Sequence, residues 1–537
     1  MRNITEQFHL LHDDGNVVRV PMLVKGKIVV PPKVSKDEIE KAFEGKDQDT
    51  TSARLDEALV LREAIIDRKT MQHTGEWQYQ VLAKVEPLQL IERDAHELVS
   101  ELYSLPFSEV LAYLKGLTQT LIDNNDVVER VRELSRRTAP HPDMFHDAAF
   151  QAFPLVLSPD VAKATVDAEL AYGSHPGSRL LDGWVELPEA ETFAGMTAML
   201  GYGLFGKDFP DDVELDRPLV KAMPTRQLHI TAGNAPAIPV FSMLRAIATK
   251  SAAVIKSPYG AVMPGALAAL AAATFAPDHP ITKHLSLVYW PGGDSSVEDI
   301  LLAPMAFDRI VVWGAPDAVK SVQARAGFTR VISFNPRYGL SLIGKEAFAE
   351  GHSLRQVAIK ASFDALIWNQ KACTASFVQY VEGSMADAER YGIELRKVLG
   401  EWDDFIPNYL SPSASGMLRR MKRGKYMNAT WHTNERDGRA SSNVVVMDGK
   451  FDMLDHPMSR TVIVRRVDSL DEVVSTLHHG VASLGIYPET RREQLRDLAF
   501  AHGVSNVLPL GQVERSFGGM PHDGMLVLAD LVDWKHA

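Results

Sequence analysis

The sequence predicts an α/β protein built on a doubly wound parallel sheet, and three observations carry that prediction. From residue 226 onward, short apolar runs of strand length ("RQLHIT", "AAVIKS", "LSLVYW", "DRIVVW", "TRVISF") alternate with helical runs. The strand-like runs are apolar throughout rather than on one face, which is the pattern of strands covered on both sides. Several helical runs open near a proline (Pro236, Pro264, Pro316), the residue that costs least at a first helical position.

Length and composition set the bounds. At roughly 150 residues per domain, the chain divides into about three or four domains, and 45% apolar residues are ample for several cores. A net charge of −12 argues against a nucleic-acid partner, which needs a concentrated basic surface. The most basic stretch, "LRRMKRGK" at 418–425, reads as a solvated face or as a holder of substrate phosphates. No window approaches the roughly 18 to 20 apolar residues of a membrane span, and the N-terminus lacks the apolar region of a signal peptide. A single cysteine excludes an internal disulfide framework and a CxxC-type site, so a reducing, cytoplasmic setting is expected and no metal site is predicted.

Taken in order, residues 1–170 form an N-terminal extension. Its first 30 or so residues read as a β-meander with turns at Asp14-Gly15 and Gly26. Ser35 and Glu38 make a capping box, and helical stretches follow to about residue 170, broken at "TAPHPD" (138–143). Residues 171–345 form a nucleotide-binding domain, residues 346–510 a second α/β domain, and residues 511–537 a closing segment with the glycine-rich "FGGMPHDG". In doubly wound sheets, ligands sit where strands turn into helix N-termini. Those turns are "TAGNAP" (231–236), "KSPYG" (256–260), "PGGDSS" (291–296) and "GAPDA" (314–318).

Two motifs mislead. Gly201, Gly203 and Gly206 in "GYGLFG" match the dinucleotide pattern, but a helical run precedes them and an acidic "KDFPDD" follows. "GLSLIGKE" (339–346) misses a phosphate loop because Glu346 stands where a hydroxyl must meet magnesium.

Cys373, in "WNQKACTASF", lies among polar amides and small residues that leave sulfur reachable, although a lone cysteine is commonly a buried hydrophobe. A thiolate nucleophile needs a helix N-terminus or a nearby cation to lower its pKa, and donors for the oxyanion it creates. Asn234 is the candidate donor, together with the Cys373 backbone N–H; a capping or turn role is its plain alternative.

In order and spacing, Asn234, Lys256, Gly292-Gly293, Gly314, Cys373 and "FGG" resemble the aldehyde dehydrogenase superfamily. Within it, "HITAGNAPAIP", "AVIKSP", "NQKAC" and "HDG" look most like the LuxC-type acyl-CoA reductases, over roughly residues 220–530. The resemblance implies an aldehyde-dehydrogenase-like fold, with Cys373 as nucleophile and Asn234 as oxyanion donor. Cofactor contacts are implied at Thr231, Ala232, Gly233, Lys256, Ser257, Gly292, Gly293, Gly314 and Ala315. It also implies an acyl-CoA or acyl-carrier-protein substrate, coenzyme A as leaving group, a homo-oligomer, and room for an acyl-activating partner enzyme.

The departures sharpen that expectation. The hydrolytic Glu of aldehyde-oxidising members falls on Ser341, a poor base, so the acyl-enzyme is expected to await hydride rather than water. The carboxylate that disfavours a 2′-phosphate falls on Tyr259, and Lys256 or Arg245 can attract that phosphate, so NADPH is favoured, with NADH as the alternative. "HPMSR" (456–460) stands where a ribose-binding Glu is expected. The leading reading is an NADPH-dependent acyl thioester reductase; an aldehyde dehydrogenase and a non-catalytic scaffold are the alternatives. Trp368, Phe377 and Phe363 are candidates to line an acyl channel, or plain core.

Overall fold

A computed structural model describes residues 11–47, 49–186, 203, 218–408, 410, 412–514 and 518–537. Gly201 and Gly206 of the glycine decoy, and Phe517 of "FGG", lie outside the described residues.

The expected N-terminal meander is present as β1 (His12–Asp14), β2 (Val17–Arg19), β3 (Met22–Val24) and β4 (Lys27–Val29), but its halves go to different sheets. The capping box at Ser35 and Glu38 opens the helix Lys36–Phe43 as predicted. The expectation of helices from there to residue 170 fails over 52–83, which form β5 (Ser52–Arg54), β6 (Ala58–Asp67) and β7 (Gln72–Ala83). Asp67 Oδ1 accepts the N–H groups of Lys69 and Thr70, and Met71 takes a left-handed φ of 51°, so the chain reverses and β6 pairs antiparallel with β7. A five-stranded sheet results, ordered β1-β2-β7-β6-β5. Helices then run from Pro87 onward.

β8 (Val185–Glu186) and β9 (Leu219–Met223) belong to a small antiparallel sheet completed by the C-terminal strand. The parallel core follows: β10 (Arg226–Ile230), β11 (Ala252–Lys256), β12 (Leu285–Val288), β13 (Arg309–Trp313) and β14 (Arg330–Phe334). With the β3–β4 hairpin they form a sheet ordered β14-β13-β10-β11-β12-β3-β4. β10 pairs in parallel with both β11 and β13, so the strand order reverses at β10, where doubly wound sheets open a crevice for a nucleotide. The helix Val262–Phe275 is buried along nearly its whole length, which is why its sequence is apolar on every side.

The second sheet contains β15 (Tyr338–Ile343), β16 (Ser376–Glu382), β17 (Thr430–Arg436), β18 (Arg439–Met447), β19 (Thr461–Val467), β20 (Val481–Tyr487) and β21 (Asn506–Pro509). Its order is β17-β18-β19-β16-β15-β20-β21. β15 lies within 171–345 but pairs with β16 and β20, so the chain changes sheets between Phe334 and Tyr338. "GLSLIGKE" is therefore mostly a strand, not a phosphate loop, and Glu346 pairs with Arg491 at 2.9 Å. The chain ends in the helix Val527–Leu531, packed on the first core, and β22 (Asp533–His536), paired with β9. No helix among the described residues is long and apolar enough to cross a membrane.

Candidate active site

Cys373 stands on the turn between the helix Leu354–Leu366 and β16, where the two halves of the molecule meet. The neighbouring Trp368 packs against the cores of both halves. Trp368, Asn369 and Gln370 all take left-handed φ values of 48°, 53° and 66°, at a cost of roughly 1–2 kcal/mol per L-residue. A second left-handed run, Met458, Ser459 and Arg460, faces them. The two runs are bonded to one another. Gln370 Nε2 donates to the Thr461 carbonyl at 2.8 Å, and Thr461 N–H donates to Gln370 Oε1 at 3.1 Å. Arg460 Nε donates to Asn369 Oδ1 at 2.6 Å, and Arg460 is itself buried against Asp403 at 2.9 Å. Bonds of this kind, one of them charge-assisted, offset the strain. The amides read from sequence as leaving sulfur reachable are thus buried clamps; what they fix is the shape of the turn. "HPMSR", in turn, supplies the other half of the clamp, and His456 stacks on Phe377 at 4.7 Å.

The thiol is half-buried and unlike the sequence expectation in its charge environment. Among the described residues the raising influences prevail: burial, then the carboxylates Asp523 and Glu514, push it up to about 11. Arg337 acts the other way, but its guanidinium already bonds Ser505 Oγ at 2.5 Å and lies 4.0 Å from Asp523. Glu514 accepts a hydrogen bond from Thr374 Oγ1 at 3.1 Å and another from the Trp368 side chain. Desolvation raises the Glu514 and Asp523 carboxyls above their ordinary values. Ser341, by contrast, is fully buried in β15 with its Oγ 2.7 Å from Ser376 Oγ, so no carboxylate stands at position 341 and its hydroxyl is engaged in the core.

Asn234 is exposed on the turn after β10. Across from its backbone stands the ring of His141, held down to about 3 by burial. That ring lies 5.9 Å from Trp368, and Lys371 Nζ donates to the Pro140 carbonyl at 3.3 Å. The 138–143 segment, read only as a helix break, is therefore the piece that joins the Asn234 turn to the cysteine turn. Of the channel candidates, Trp368 is at the site, Phe377 is core, and Phe363 is exposed beside Trp402.

The cofactor candidates divide. Gly314 and Ala315 stand at the β13 end, and no side chain caps the helix Pro316–Ala326, so its first N–H groups remain available to an anion. Free N–H groups at a strand-to-helix turn are what the phosphates of a dinucleotide require. Gly233 packs its turn against the β11 turn, where a Cβ would lie 2.5 Å from the Tyr259 carbonyl. Thr231 Oγ1 donates to the Lys256 carbonyl at 2.6 Å; Ala232 is partly exposed beside it. Lys256 is buried, its Nζ 5.3 and 5.4 Å from the Tyr289 and Trp290 rings, and burial lowers it to about 8. Ser257 is sealed against Gly265, and the Gly293 N–H is taken by Glu298 at 3.0 Å, so neither group is free for a phosphate; Gly292 stays open. Arg245 is no candidate for a 2′-phosphate. It lies in the last turn of the helix Ile238–Ala248, against the stacked Trp313 and Phe334, and bonds His522 Nδ1 at 3.0 Å.

Sequence reading also missed the β5–β7 sheet, which packs on the cofactor turns. Arg54 pairs with Asp294, the Tyr259 hydroxyl donates to the Arg62 carbonyl at 2.7 Å, and Glu63 meets Gly260. Nothing in "TSARLDEALVLREA" marks those contacts.

The paired sheets, with a cysteine turn wedged between them, define an aldehyde-dehydrogenase-like fold. An NADP-dependent glyceraldehyde-3-phosphate dehydrogenase from Bacillus halodurans superposes with a TM-score of 0.64 at 14% identity, over 97% of this chain and 98% of that one. An indole-3-acetaldehyde dehydrogenase of P. syringae gives a TM-score of 0.66 at 13% identity, over 100% and 98%. Residues 217–534 match the acyl-CoA reductase (LuxC) family model, and the chain belongs to that family. Curated relatives include a long-chain acyl-protein thioester reductase 2 of Photobacterium leiognathi, 26% identical over 59% of this chain and 64% of its own length. The Vibrio harveyi long-chain acyl-protein thioester reductase is 25% identical over 58% and 64%. The chain thus spans a little under two thirds of the relatives it matches.

Proposed function

We propose that the protein reduces an acyl thioester to an aldehyde through an acyl-enzyme on Cys373. The observation that carries this reading is a half-buried thiol on a clamped turn between the nucleotide crevice and the second sheet. The family relationship, and relatives named as acyl-protein thioester reductases, support the substrate class.

Cys373 attacks the thioester carbonyl, and the Asn234 amide with the Cys373 backbone N–H receives the developing oxyanion. Coenzyme A or a carrier thiol leaves. The turns at β10 and β13 would hold a dinucleotide through Gly314, Ala315, Thr231, Ala232 and Gly233, with Lys256 and Gly292 as its further contacts. Bound there, the reduced nicotinamide supplies the hydride. The residues around the thiol then hold the thiohemiacetal until it collapses to aldehyde. NADPH is favoured over NADH because position 259 carries no carboxylate and burial pushes Glu63 toward its neutral form. We place the protein in the cytoplasm as a homo-oligomer.

Glu514 beside the thiol also gives the rival reading, aldehyde oxidation with hydrolysis, a base. Product analysis separates the two. With an acyl-CoA panel and NADPH, aldehyde and free coenzyme A are expected in equal amounts; fast acid formation from aldehyde and NADP without coenzyme A contradicts reduction as the function.

A further inference from the structure

The two carboxylates whose charge acts on Cys373, Asp523 and Glu514, both come from the closing segment 511–537. Glu514 is held from both sides of the cysteine turn: the Trp368 side chain donates to it five residues before the thiol, and Thr374 Oγ1 donates at 3.1 Å from the residue after it. The segment itself is anchored. Gly511 N–H and Val513 N–H donate to the two oxygens of buried Asp364 at 2.8 and 3.2 Å, and Ser483 Oγ donates to the Thr374 carbonyl at 2.8 Å. A carboxylate set this firmly against a turn is positioned, not merely near.

Resting on the acyl-enzyme reading, we propose that Glu514 is the proton carrier for Cys373. It takes the thiol proton as sulfur attacks and returns it to the leaving thiol.

The balance of the step favours one carrier. The S–H bond of Cys373 breaks and its proton passes to a Glu514 oxygen; the sulfur lone pair forms the new C–S bond. The bond from acyl carbon to the departing sulfur then breaks, and the Glu514 proton neutralises the departing thiolate. One thiol enters as a thiol and another leaves as one, so no net proton is exchanged and no second acid is needed. Burial, with the Asp523 and Glu514 carboxylates beside it, holds Cys373 toward its thiol form, so a nearby proton acceptor is of use. A carboxyl held above its ordinary range by desolvation is also better matched to such a transfer. The remaining lone pairs of Glu514 serve the transfer while Trp368 and Thr374 fix its direction. Asp523, the other nearby carboxylate, is engaged by Arg337 and stands in the field of Arg245, so it is the less available acceptor.

The test uses the full chain and its Glu514→Gln and Glu514→Asp variants. Intact-mass kinetics follow acyl transfer from acyl-CoA to Cys373 without reductant, while iodoacetamide alkylation across pH reports the thiol's ionisation. In Glu514→Gln, acylation is expected to slow by about 100-fold. At the same time its alkylation midpoint should move to lower pH, because a negative charge beside the thiol is gone. Glu514→Asp should recover part of the acylation rate. Easier ionisation with slower acylation is a pairing that a merely structural role does not produce. Unchanged acylation in Glu514→Gln overturns the proposal, and so does a parallel fall in acylation and alkylation. If the unaltered protein forms no adduct at all, the acyl-enzyme reading itself fails, and this inference with it.

Discussion

At Gly339, β15 passes so close to the cysteine turn that a Cβ would lie 2.0 Å from the Thr374 carbonyl oxygen. Backbone cannot yield there as a flexible side chain would. Gly339→Ala is therefore expected to destabilise the fold by about 1–3 kcal/mol, read by urea unfolding, and to disturb the turn that carries the thiol. Cys373 makes its own prediction. With burial and two carboxylates raising it to about 11, its alkylation rate should keep climbing beyond pH 9; a plateau below pH 8 would contradict the charge environment described. The sequence pointed to Cys373 because it is the one thiol in a reachable-looking setting, but it pointed to a cation beside it. Glu514 was invisible for a plain reason: among 69 acidic residues, nothing local marks the one that folds back from 140 positions beyond Thr374.

The elements differ in how openly the sequence states them. β10 to β14 were legible because strands buried on both faces must be apolar throughout, and few other structures write that pattern in runs of four or five residues. The β6–β7 hairpin was not, since β6 is apolar at its start and mixed at its end, and its turn is closed by Asp67 rather than by glycine. The paired left-handed runs at 368–370 and 458–460 left no signal either; they are stable only when both are present. The segment carrying Glu514 depends on Asp364, whose carboxyl burial raises to about 7 from 3.8. Because the folded value lies above the unfolded one, the folded state keeps a proton the unfolded chain loses. Stability from this group is complete below about pH 4 and falls as pH rises toward 7, by an order of magnitude of 4 kcal/mol at most. Asp364→Asn, which cannot ionise, should show a flatter urea-unfolding stability between pH 5 and 8 than the unaltered protein. Equal slopes would show that Asp364 titrates normally.

At the scale of the whole molecule, the candidate site draws on four segments. The Asn234 turn comes from the first parallel sheet and Cys373 from the second; His141 bridges them from the N-terminal extension, and Glu514 with Asp523 closes over them from the C-terminal segment. The β5–β7 sheet adds a wall against the cofactor turns. Such an arrangement suits a carrier that holds an acyl group between two half-reactions, one at the thiol and one at the nucleotide crevice. Intact-mass spectrometry of the full chain after exposure to a long-chain acyl-CoA, with and without NADPH, shows whether Cys373 carries the acyl group. A single acyl addition is expected, one that Cys373→Ala abolishes and that NADPH discharges as aldehyde. No addition, or an addition that persists in Cys373→Ala, would contradict it.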